Sequence, residues 1–356
     1  MKRAFIVGGL AWGDEGKGAT VDFLALHHGA DLVVRYNGGP QAGHNVVTPT
    51  GLWHEFHQFG SASFLGVPTH LSRFMLVEPI SMMEEAKHLE KVGILDAWKK
   101  ISVDPDALVI TPFHRELNRL QTDGTHTSCG RGIGTTRHFH ILYGDKVLFV
   151  KDLLDERVAI EKLRFIQDRA KEQHAAIDND DSFIQHIWAR YYATWRELVS
   201  IRTLPPANTM IFEGAQGVLL DELHGTQGFN TWTDCTFGNA FKLLHENNFD
   251  GQVTRVGVIR TYYTRHGAGP FPTENPSVHY PEPHNLHSVF QGKFRQGYFD
   301  VHSFHDALRI LQGIDMLAVN HMDCYKSWFP PLEVLELPHI LGRGPTRKDR
   351  EFIKFS

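Results

Sequence analysis

The chain has 356 residues, of which 42% are hydrophobic, 11% aromatic and 22% charged. This is the composition of an ordinary folded protein with enough apolar side chains for a large core. The 36 Lys and Arg residues against 41 Asp and Glu residues give a net charge of −5. That balance argues against a broad cationic face for nucleic acid, although a local nest of amides and cations suffices for a small anionic ligand.

Neither a membrane span nor a secretion signal is predicted. No apolar run approaches the roughly 20 residues that a membrane helix needs. The N-terminal MKRAFIV leads at once into Gly, Asp and Glu, which is typical of a first strand and not of a signal peptide. The three cysteines, Cys129, Cys235 and Cys324, are far apart and odd in number. They predict a reducing, cytoplasmic setting without a disulfide framework or structural zinc.

Strand and helix patterns alternate along the chain. The predicted strands cover 4–7, 31–36, 108–111, 209–212, 253–262 and 316–320, and the predicted helices cover 19–28, 81–92, 153–173, 183–201 and 304–312. Ser81 and Glu84 form a capping-box pattern at the start of the second helix. Pro112 ends the third strand, a polar turn covers 178–181, and a Pro-rich loop covers 270–283.

This alternation predicts an α/β fold with a mostly parallel central sheet, flanking helices and a P-loop-like Gly-rich loop after the first strand. We find no repeat and no convincing linker, which favours one domain over residues 1–356, elaborated by helical and loop insertions. Ligands are then expected at the carboxyl ends of the strands.

The sequence WGDEGKG at residues 12–18 lies between the first strand and the first helix. Its glycines allow backbone amides to approach a ligand, and a helix N-terminus favours phosphate. It is not a Walker motif, because Lys17 is followed by Gly18 and not by Ser or Thr. Two carboxylates in a phosphate cradle are unusual unless they hold Mg²⁺ or take a proton. A Gly-rich turn with an acidic cap is the structural alternative.

Four further Gly-rich segments occur along the chain. They are NGGPQAGH at 37–44, CGRGIGTT at 129–136, FEGAQGVLLD at 212–221 followed by HGT at 224–226, and TRHGAGPFPTE at 264–274. His44 can act as a proton donor near neutral pH, although a lone histidine is more often structural. Any one segment is compatible with a surface turn, but five of them indicate a ligand-binding edge.

In this order, the five motifs resemble those of the adenylosuccinate synthetase family, from Gly9 to the segment 344–347. The resemblance implies ligation of L-aspartate to C6 of a 6-oxopurine nucleotide through a 6-phosphoryl intermediate, driven by a purine nucleoside triphosphate and Mg²⁺. It implies small-molecule substrates, with neither nucleic acid nor membrane as a partner. It also implies a homodimer whose partner supplies an Arg to the nucleotide phosphate, and Arg137 lies in the right neighbourhood.

The resemblance also implies roles for individual residues. Asp14 matches the general base that removes the N1 proton, and His44 matches the acid that stabilises charge at O6. Asp14 and the carbonyl of Gly43 would hold Mg²⁺. The implied contacts of the triphosphate are Gly13, Glu15, Gly16, Lys17, Gly18, Asn320, Asp323, Gly344 and Pro345. Those of the purine nucleotide are Asp14, Gln41, Ala42, Ser128, Cys129, Gln216 and Thr236, and those of aspartate are Gly292, Lys293 and Arg295.

Several recognition positions depart from the family pattern, whereas the base and the acid are kept. The departures are Gln41 for Asn, Cys129 for Thr, Ala11 for Gln, QGKFRQ at 291–296 for an Arg-rich loop, and NHMD at 320–323, which keeps Asp323 but lacks the Lys that flanks guanine. The chain is also short, as in archaeal members and a phage branch.

A chain that keeps the base and the acid of the family but differs at several recognition positions is expected to act on a different substrate. Our first hypothesis is the phage-type reaction, in which dGMP, L-aspartate and ATP or dATP (or GTP) give 2-amino-2′-deoxyadenylosuccinate, a precursor of diaminopurine DNA. The protein would then act in the host cytoplasm. The alternative is an adenylosuccinate synthetase that acts on IMP with GTP. A non-catalytic purine-nucleotide-binding protein is the further alternative.

Overall fold

A computed structural model describes residues 1–122, 128–177, 180–282, 290, 292–325 and 337–353. In chain order the strands are β1 (Arg3–Gly9), β2 (Leu32–Arg35), β3 (His44–Val47), β4 (Trp53–Phe56), β5 (Thr69–Leu71), β6 (Ile101–Val103), β7 (Ser200–Ile201), β8 (Thr209–Gly217), β9 (Gln252–Arg260), β10 (Tyr263–His266), β11 (Phe294–Gly297), β12 (Met316–Asn320), β13 (His339–Gly342) and β14 (Arg350–Ile353). The helices are α1 (Lys17–His28), α2 (Pro79–Lys91), α3 (Pro112–Thr122), α4 (Ile133–Tyr143), α5 (Glu156–Gln173), α6 (Asp181–Ile187), α7 (Ala193–Leu198), α8 (Gly238–Glu246) and α9 (Val301–Ile310).

The described residues include a ten-stranded sheet with the order β14-β13-β12-β9-β1-β8-β2-β5-β6-β7. Its neighbouring strands are parallel, except for the antiparallel pair β13 and β14 at one edge. Strands β2 and β12 are buried at every residue, as expected when both faces of a parallel sheet are covered. The predicted α/β fold with a mostly parallel central sheet is confirmed.

Five neighbouring strands in the middle of the sheet, β12, β9, β1, β8 and β2, run parallel to one another. Their carboxyl ends therefore lie along one edge of the sheet. The segment 320–323, the Gly-rich loop after β1 and the motifs after β2 and β8 all begin at this edge. The antiparallel hairpin of β10 and β11 follows β9 closely and carries the fifth motif. Strand order thus brings together loops that are more than 300 residues apart in the chain.

Helix α2 begins earlier than predicted. It starts at Pro79, with Glu78 as the N-cap residue, and the capping box at Ser81 and Glu84 is wrong. Proline is favoured at the first helical position because its fixed φ suits a helix and the missing N–H has no intrahelical role there. Ser81 lies within the first turn, where its hydroxyl donates to the Glu78 carbonyl at 3.3 Å.

Two other predicted elements differ from the structure. Residues 108–111 form isolated bridges and not a strand, and Pro112 begins helix α3. The helix predicted at 183–201 is divided into α6, a π turn at Trp188–Tyr192 and α7, and it ends before the short strand β7. The apolar residues recur at helical spacing throughout 183–198, so the sequence pattern does not reveal where the α-helix changes to a π-helical turn.

The Pro-rich segment is a loop over its described part, 270–282, apart from an isolated bridge between Glu274 and Gly297. In the turn predicted at 178–181, residues 178 and 179 lie outside the described residues. None of the helices in the described ranges combines the length and the apolar character that crossing a membrane requires.

Candidate active site

A cleft of about 1170 Å³ opens at the carboxyl edge of the central strands. Asp14 and His44, the predicted base and acid, both lie on its wall. Further predicted residues that line the cleft are Gly13, Gln41, Ala42, Gly43, Ser128, Cys129 and Gln216. Because these residues come from four separate loops, the fold assembles the wall from motifs that are distant in sequence.

The Gly-rich loop after β1 is organised around the side chain of Glu15. One carboxylate oxygen accepts hydrogen bonds from the amides of Ala11 and Gly13 at 3.0 and 2.8 Å. The other pairs with the Lys17 ammonium at 2.6 Å, and Lys17 also donates to the Gly13 carbonyl at 2.7 Å. Both charged side chains are buried. In this conformation they support the loop, which uses two of the three N–H donors of the Lys17 ammonium.

Two glycines of the loop permit close packing behind the cleft. Gly16 has a φ of +90° and immediately precedes helix α1, and a Cβ there would lie 2.8 Å from the Asn320 amide. A Cβ on Gly18 would lie 2.8 Å from the His44 Cβ. Gly16 and Gly18, predicted to bind the triphosphate, therefore lie against side chains of the protein in the ligand-free structure.

Asp14 projects from this loop into the cleft with about a fifth of its side chain exposed. The Nε2 atom of His266 lies 3.7 Å from its Oδ2 atom. The charge of Asp14 also favours the protonated form of the buried Arg260. A partly exposed carboxylate on the wall of a cleft can accept a proton from a ligand or coordinate a cation.

His44 forms a buried dyad with Glu213, a residue of β8. The His44 Nδ1 atom lies 2.5 Å from a Glu213 carboxylate oxygen. Ser61 donates to the same carboxylate from its backbone amide, at 3.0 Å, and from its hydroxyl. Burial by itself raises the pKa of Glu213, but the charge of Arg35 and the hydrogen bond from His44 bring it down to about 2. Because an ionised carboxylate only accepts, Nδ1 of His44 carries the proton and Nε2 remains for a ligand.

Burial determines the charge of the His44 imidazole in the ligand-free cleft. It lowers the pKa of His44 to about 4, although the hydrogen bond and charge of Glu213 oppose that shift. The ring is therefore neutral at pH 7. A negative charge placed beside Nε2 would raise this pKa.

Glu213 lies in the Gly-rich segment 212–221, but the sequence analysis predicted no role for it. Its position could have indicated a role, because Glu213 is a charged residue in strand β8 and directly precedes the Gly-rich segment 214–217. Its partner His44 is 169 residues away in sequence. The pairing of β2 with β8 places Glu213 beside Arg35, the last residue of the strand that leads into the segment with His44.

Gln41 and Gln216 lie near one another in the cleft. The point where a Cβ on Gly38 would lie is 3.2 Å from Oε1 of Gln216 and 3.6 Å from Nε2 of Gln41. Both amide atoms of Gln41 are buried without a hydrogen-bond partner in the described structure. A buried amide without partners is costly, which is consistent with a ligand contact at this position.

Ser128 and Cys129 line the cleft just before helix α4, whereas Thr236 does not lie on its wall. The Thr236 hydroxyl donates to Asp234 at 2.6 Å and accepts from the Gly238 amide at 3.1 Å. It is thus engaged at the start of helix α8. The predicted role of Thr236 in nucleotide binding would require these contacts to change.

The predicted aspartate-binding segment lies beside the cleft and not on its wall. Arg295 of β11 pairs with Glu274 at 2.6 Å and donates to the Gly269 carbonyl at 2.9 Å. Lys293 is exposed, and its carbonyl accepts from the Gly267 amide. Gly292 is buried, and residue 291 lies outside the described residues. The two cations are therefore one strand away from the cleft-lining residues His266 and Ala268.

The predicted triphosphate contacts near the C-terminus do not line the cleft either. Asn320 donates to the Glu15 carbonyl at 2.8 Å and accepts from Arg350 at 3.1 Å, so its amide fastens the Gly-rich loop. Asp323 is exposed, and so is Pro345. Gly344 packs against Asp349, since a Cβ there would lie 2.9 Å from that carboxyl group.

The donor set around Asp14 and Gly43 fits Mg²⁺. Both residues line the cleft, and so does Glu55, whose carboxylate packs directly against Gly43. Carboxylate and carbonyl oxygens are the ligands that this ion prefers, usually with substrate phosphates and water completing the shell. Within the described residues, no group of three His, Cys, Asp or Glu side chains forms a metal site by itself. The protein therefore offers a partial set of oxygen ligands.

Several buried histidines predict loss of stability in acid. Burial lowers the pKa of His44 to about 4 and that of both His70 and His114 to about 3. The unfolded chain, with histidine pKa values near 6.5, takes up protons that the folded chain does not. The free energy of unfolding should thus decrease as pH falls below about 6.5, by about 1.4 kcal/mol per pH unit for each such histidine.

Urea unfolding at pH 7, 6 and 5 measures this dependence. His70→Gln removes one buried titrating group and should flatten the slope, whereas replacement of the exposed His302 by Gln is the matched control and should leave it unchanged. An unfolding free energy that stays constant between pH 6.5 and 5 would contradict the prediction.

Comparison with known proteins supports the resemblance noted from the motifs. The sequence pattern of the adenylosuccinate synthetase family matches residues 6–334. Relatives with the name adenylosuccinate synthetase include proteins from Syntrophotalea carbinolica, 31% identical over 355 residues, and Halothermothrix orenii, 33% identical over 346 residues. Each alignment covers 89% of this chain and 77% of the relative.

Two solved structures share the fold. Fully ligated adenylosuccinate synthetase from Plasmodium falciparum has a TM-score of 0.74 and 20% identity, with 99% of this chain and 88% of that chain covered. The succinoaminodeoxyadenylate synthetase of cyanophage S-2L, bound to dGMP and dATP, has a TM-score of 0.70 and 17% identity, with coverage of 99% and 95%. At these identities the likeness establishes the fold and nothing finer. With the family pattern matched over most of its length, the chain belongs to the adenylosuccinate synthetase family of carbon–nitrogen ligases.

Proposed function

We propose that the protein joins L-aspartate to C6 of IMP, with GTP as the phosphoryl donor. The observation that carries the ligase reaction is the placement of Asp14 and His44 on one cleft wall. The relatives at 31 and 33% identity are adenylosuccinate synthetases, which favours the IMP alternative over our first hypothesis of a dGMP enzyme. The distant structural neighbour that binds dGMP does not outweigh them.

In the first step, Asp14 accepts the proton from N1 of the purine, and O6 gains the electron density it needs to attack the γ-phosphorus. The new O6–P bond forms as the bond from that phosphorus to the βγ-bridging oxygen breaks, which releases the nucleoside diphosphate. His44, held through Nδ1 by Glu213, presents Nε2 to the charge that develops on the oxygens. Positioning and electrostatic stabilisation account for most of the catalysis in such a transfer.

In the second step, the amine of aspartate attacks C6. The C6–O6 bond breaks, inorganic phosphate leaves with O6 and both bonding electrons, and the proton lost by the amine passes to the departing phosphate or to solvent. Lys293 and Arg295 are proposed to bind the aspartate carboxylates. Since Arg295 is paired with Glu274 in the ligand-free structure, aspartate must compete with that carboxylate.

Asp14 and the Gly43 carbonyl are proposed to hold Mg²⁺, as the oxygen donors at this part of the wall suggest. When bound, the ion would neutralise charge on the phosphates of the donor. The same side chain of Asp14 then has to serve both the ion and the purine, so its orientation in the cleft is important.

A dGMP ligase remains the second candidate, because of one specific observation. Gln41, which departs from the family pattern, has a buried amide with neither its donor nor its acceptor satisfied in the described structure. A purine with a 2-amino group offers a donor and an acceptor side by side at its C2 edge. ATP or dATP would be the matching phosphoryl donor.

A substrate panel distinguishes the candidates. Purified protein with Mg²⁺ and L-aspartate is given IMP, GMP, dGMP or dIMP, each with GTP, ATP or dATP, and product and phosphate are measured. We expect the highest kcat/KM with IMP and GTP. A higher value with dGMP would reverse the ranking, and nucleotide binding without phosphate release would support the non-catalytic alternative.

We further propose a homodimer in the cytoplasm. Arg137 on helix α4 is partly exposed, and its guanidinium pairs with Glu222 of the cleft wall at 3.6 Å. Large apolar side chains on the same helix, Ile141 and Leu142, are exposed. The oligomeric state is measurable by light scattering after size-exclusion chromatography.

A further inference from the structure

His266 ends strand β10 and faces the Asp14 carboxylate across the cleft. Its Nε2 atom lies 3.7 Å from Asp14 Oδ2, and each of the two side chains is 21% exposed. Its other ring nitrogen, Nδ1, is buried without a hydrogen-bond partner in the described structure. The ring is therefore fixed with one polar atom directed at the predicted base, at a distance slightly longer than a hydrogen bond.

Contacts within the β10–β11 hairpin hold His266 in place. Its ring packs on Phe294 of β11, with centroids 4.8 Å apart, and the two residues are paired in the hairpin. The preceding residue, Arg265, is buried and donates to the carbonyls of Ala268 and Pro270 at 3.2 and 2.8 Å. Neighbouring contacts thus hold the backbone and the ring of His266 in one orientation.

The same contacts fix the position of Asp14. The Arg265 guanidinium lies 5.4 Å from the ring centroid of Trp12, which is two residues before Asp14. Trp12 also packs on Phe271 and Tyr263, at centroid distances of 5.2 and 5.5 Å. The hairpin and the Gly-rich loop are thereby joined next to the pair of Asp14 and His266.

We propose that His266 is a positioning residue for Asp14. With Nε2 as the donor to one carboxylate oxygen, it sets the rotation of the carboxylate and turns the other oxygen to the purine. Each carboxylate oxygen has two lone pairs, so the contact with His266 leaves a lone pair for the proposed Mg²⁺. A general base loses efficiency when its carboxylate rotates away from the proton it must take, so the contact acts on the chemical step. Catalytic hydrogen bonds are often long in ligand-free enzymes and shorten in the substrate complex, which accommodates the 3.7 Å separation. This proposal rests on the proposed function.

The test measures only the first step of the proposed reaction, which is the phosphorylation of O6. Positional isotope exchange in the triphosphate, with purine nucleotide and Mg²⁺ but without aspartate, reports phosphorylation of O6. His266→Leu, which lacks a donor, should lower both the exchange rate and kcat by roughly 10-fold or more, as typical for loss of a supporting contact. KM values for both nucleotides should stay within about twofold, because uniform substrate binding is kept.

Two conservative variants provide the controls. The Gln side chain places an amide donor near the position of Nε2, so His266→Gln should recover most of the exchange rate. His266→Asn places its donor near Nδ1 and should remain slow. In an Asp14→Asn background, His266→Leu should add little further loss, since a positioning residue has no effect once its partner cannot act.

The possible failures are distinguishable. An unchanged exchange rate in His266→Leu, or a full additional loss in the Asp14→Asn background, would overturn the role of His266 and leave the ligase function in place. Equal losses in all three His266 variants, with a lower melting temperature, would assign His266 a structural role only. Wild-type protein without any exchange would overturn the proposed function, and the role of His266 with it.

Discussion

Replacement of Asp14 by Asn is expected to lower kcat by about 10²-fold or more, because an amide of the same shape cannot accept the N1 proton. The side chain is partly exposed on the cleft wall and supports no described hydrogen bond of the fold, so the variant should fold normally. Steady-state kinetics with IMP, GTP, Mg²⁺ and aspartate measures the effect. The binding of IMP to the variant, measured by calorimetry, should be little changed.

Glu246 offers a control for this experiment. Its carboxylate is 38% exposed and pairs with Arg73, but it does not line the cleft. Glu246→Gln should retain kcat within about twofold. A nearly normal kcat in Asp14→Asn would remove Asp14 from the mechanism, whatever the control shows.

Replacement of Glu213 by Gln is expected to affect both catalysis and stability. The Gln amide has one acceptor oxygen, whereas the two oxygens of Glu213 accept from His44 Nδ1 and from the amide and hydroxyl of Ser61. The tautomer and orientation of the His44 ring are then no longer fixed, so we expect kcat to fall by about 10²-fold. The buried Arg35 also loses the nearby negative charge. Hydrogen bonds to a charged group typically contribute about 1.5–3 kcal/mol, and the free energy of unfolding should decrease by that order.

The control for Glu213 is Glu78, a second buried carboxylate. Glu78 pairs with Arg115 at 3.4 Å and does not line the cleft. Glu78→Gln should destabilise the protein without lowering kcat at a temperature where both variants are folded. If the two variants lost stability equally and both kept their kcat, Glu213 would have a purely structural role.

The Gly-rich loop shows which features of the site could be predicted from the sequence and which could not. The motif predicted a loop at a ligand site, the family resemblance implied Asp14 as the base, and the structure places Asp14 on the cleft wall. It also predicted that Lys17 meets phosphate, yet Lys17 is buried against Glu15. A motif specifies which groups are near a ligand. It does not specify which of them pair with each other when the ligand is absent.

The same limit applies to the distant recognition positions. Asn320 was predicted to contact the triphosphate, but its amide holds the backbone of the Gly-rich loop across 305 residues of sequence. Thr236 was predicted to contact the nucleotide, but its hydroxyl is engaged at the start of helix α8. Both are polar side chains, and local sequence cannot distinguish a ligand contact from a tertiary one.

The order of strands and helices, and the loops that carry the chemistry, follow from the sequence because hydrophobic periodicity and glycine placement are local properties. The pairing of His44 with Glu213 and of Asp14 with His266 was decided by the tertiary structure. Each pair joins segments that are far apart in the chain, and only the parallel order of the central strands brings them to one edge. Burial then sets the charge of His44, since the desolvation of a ring depends on everything packed around it and not on its sequence neighbours.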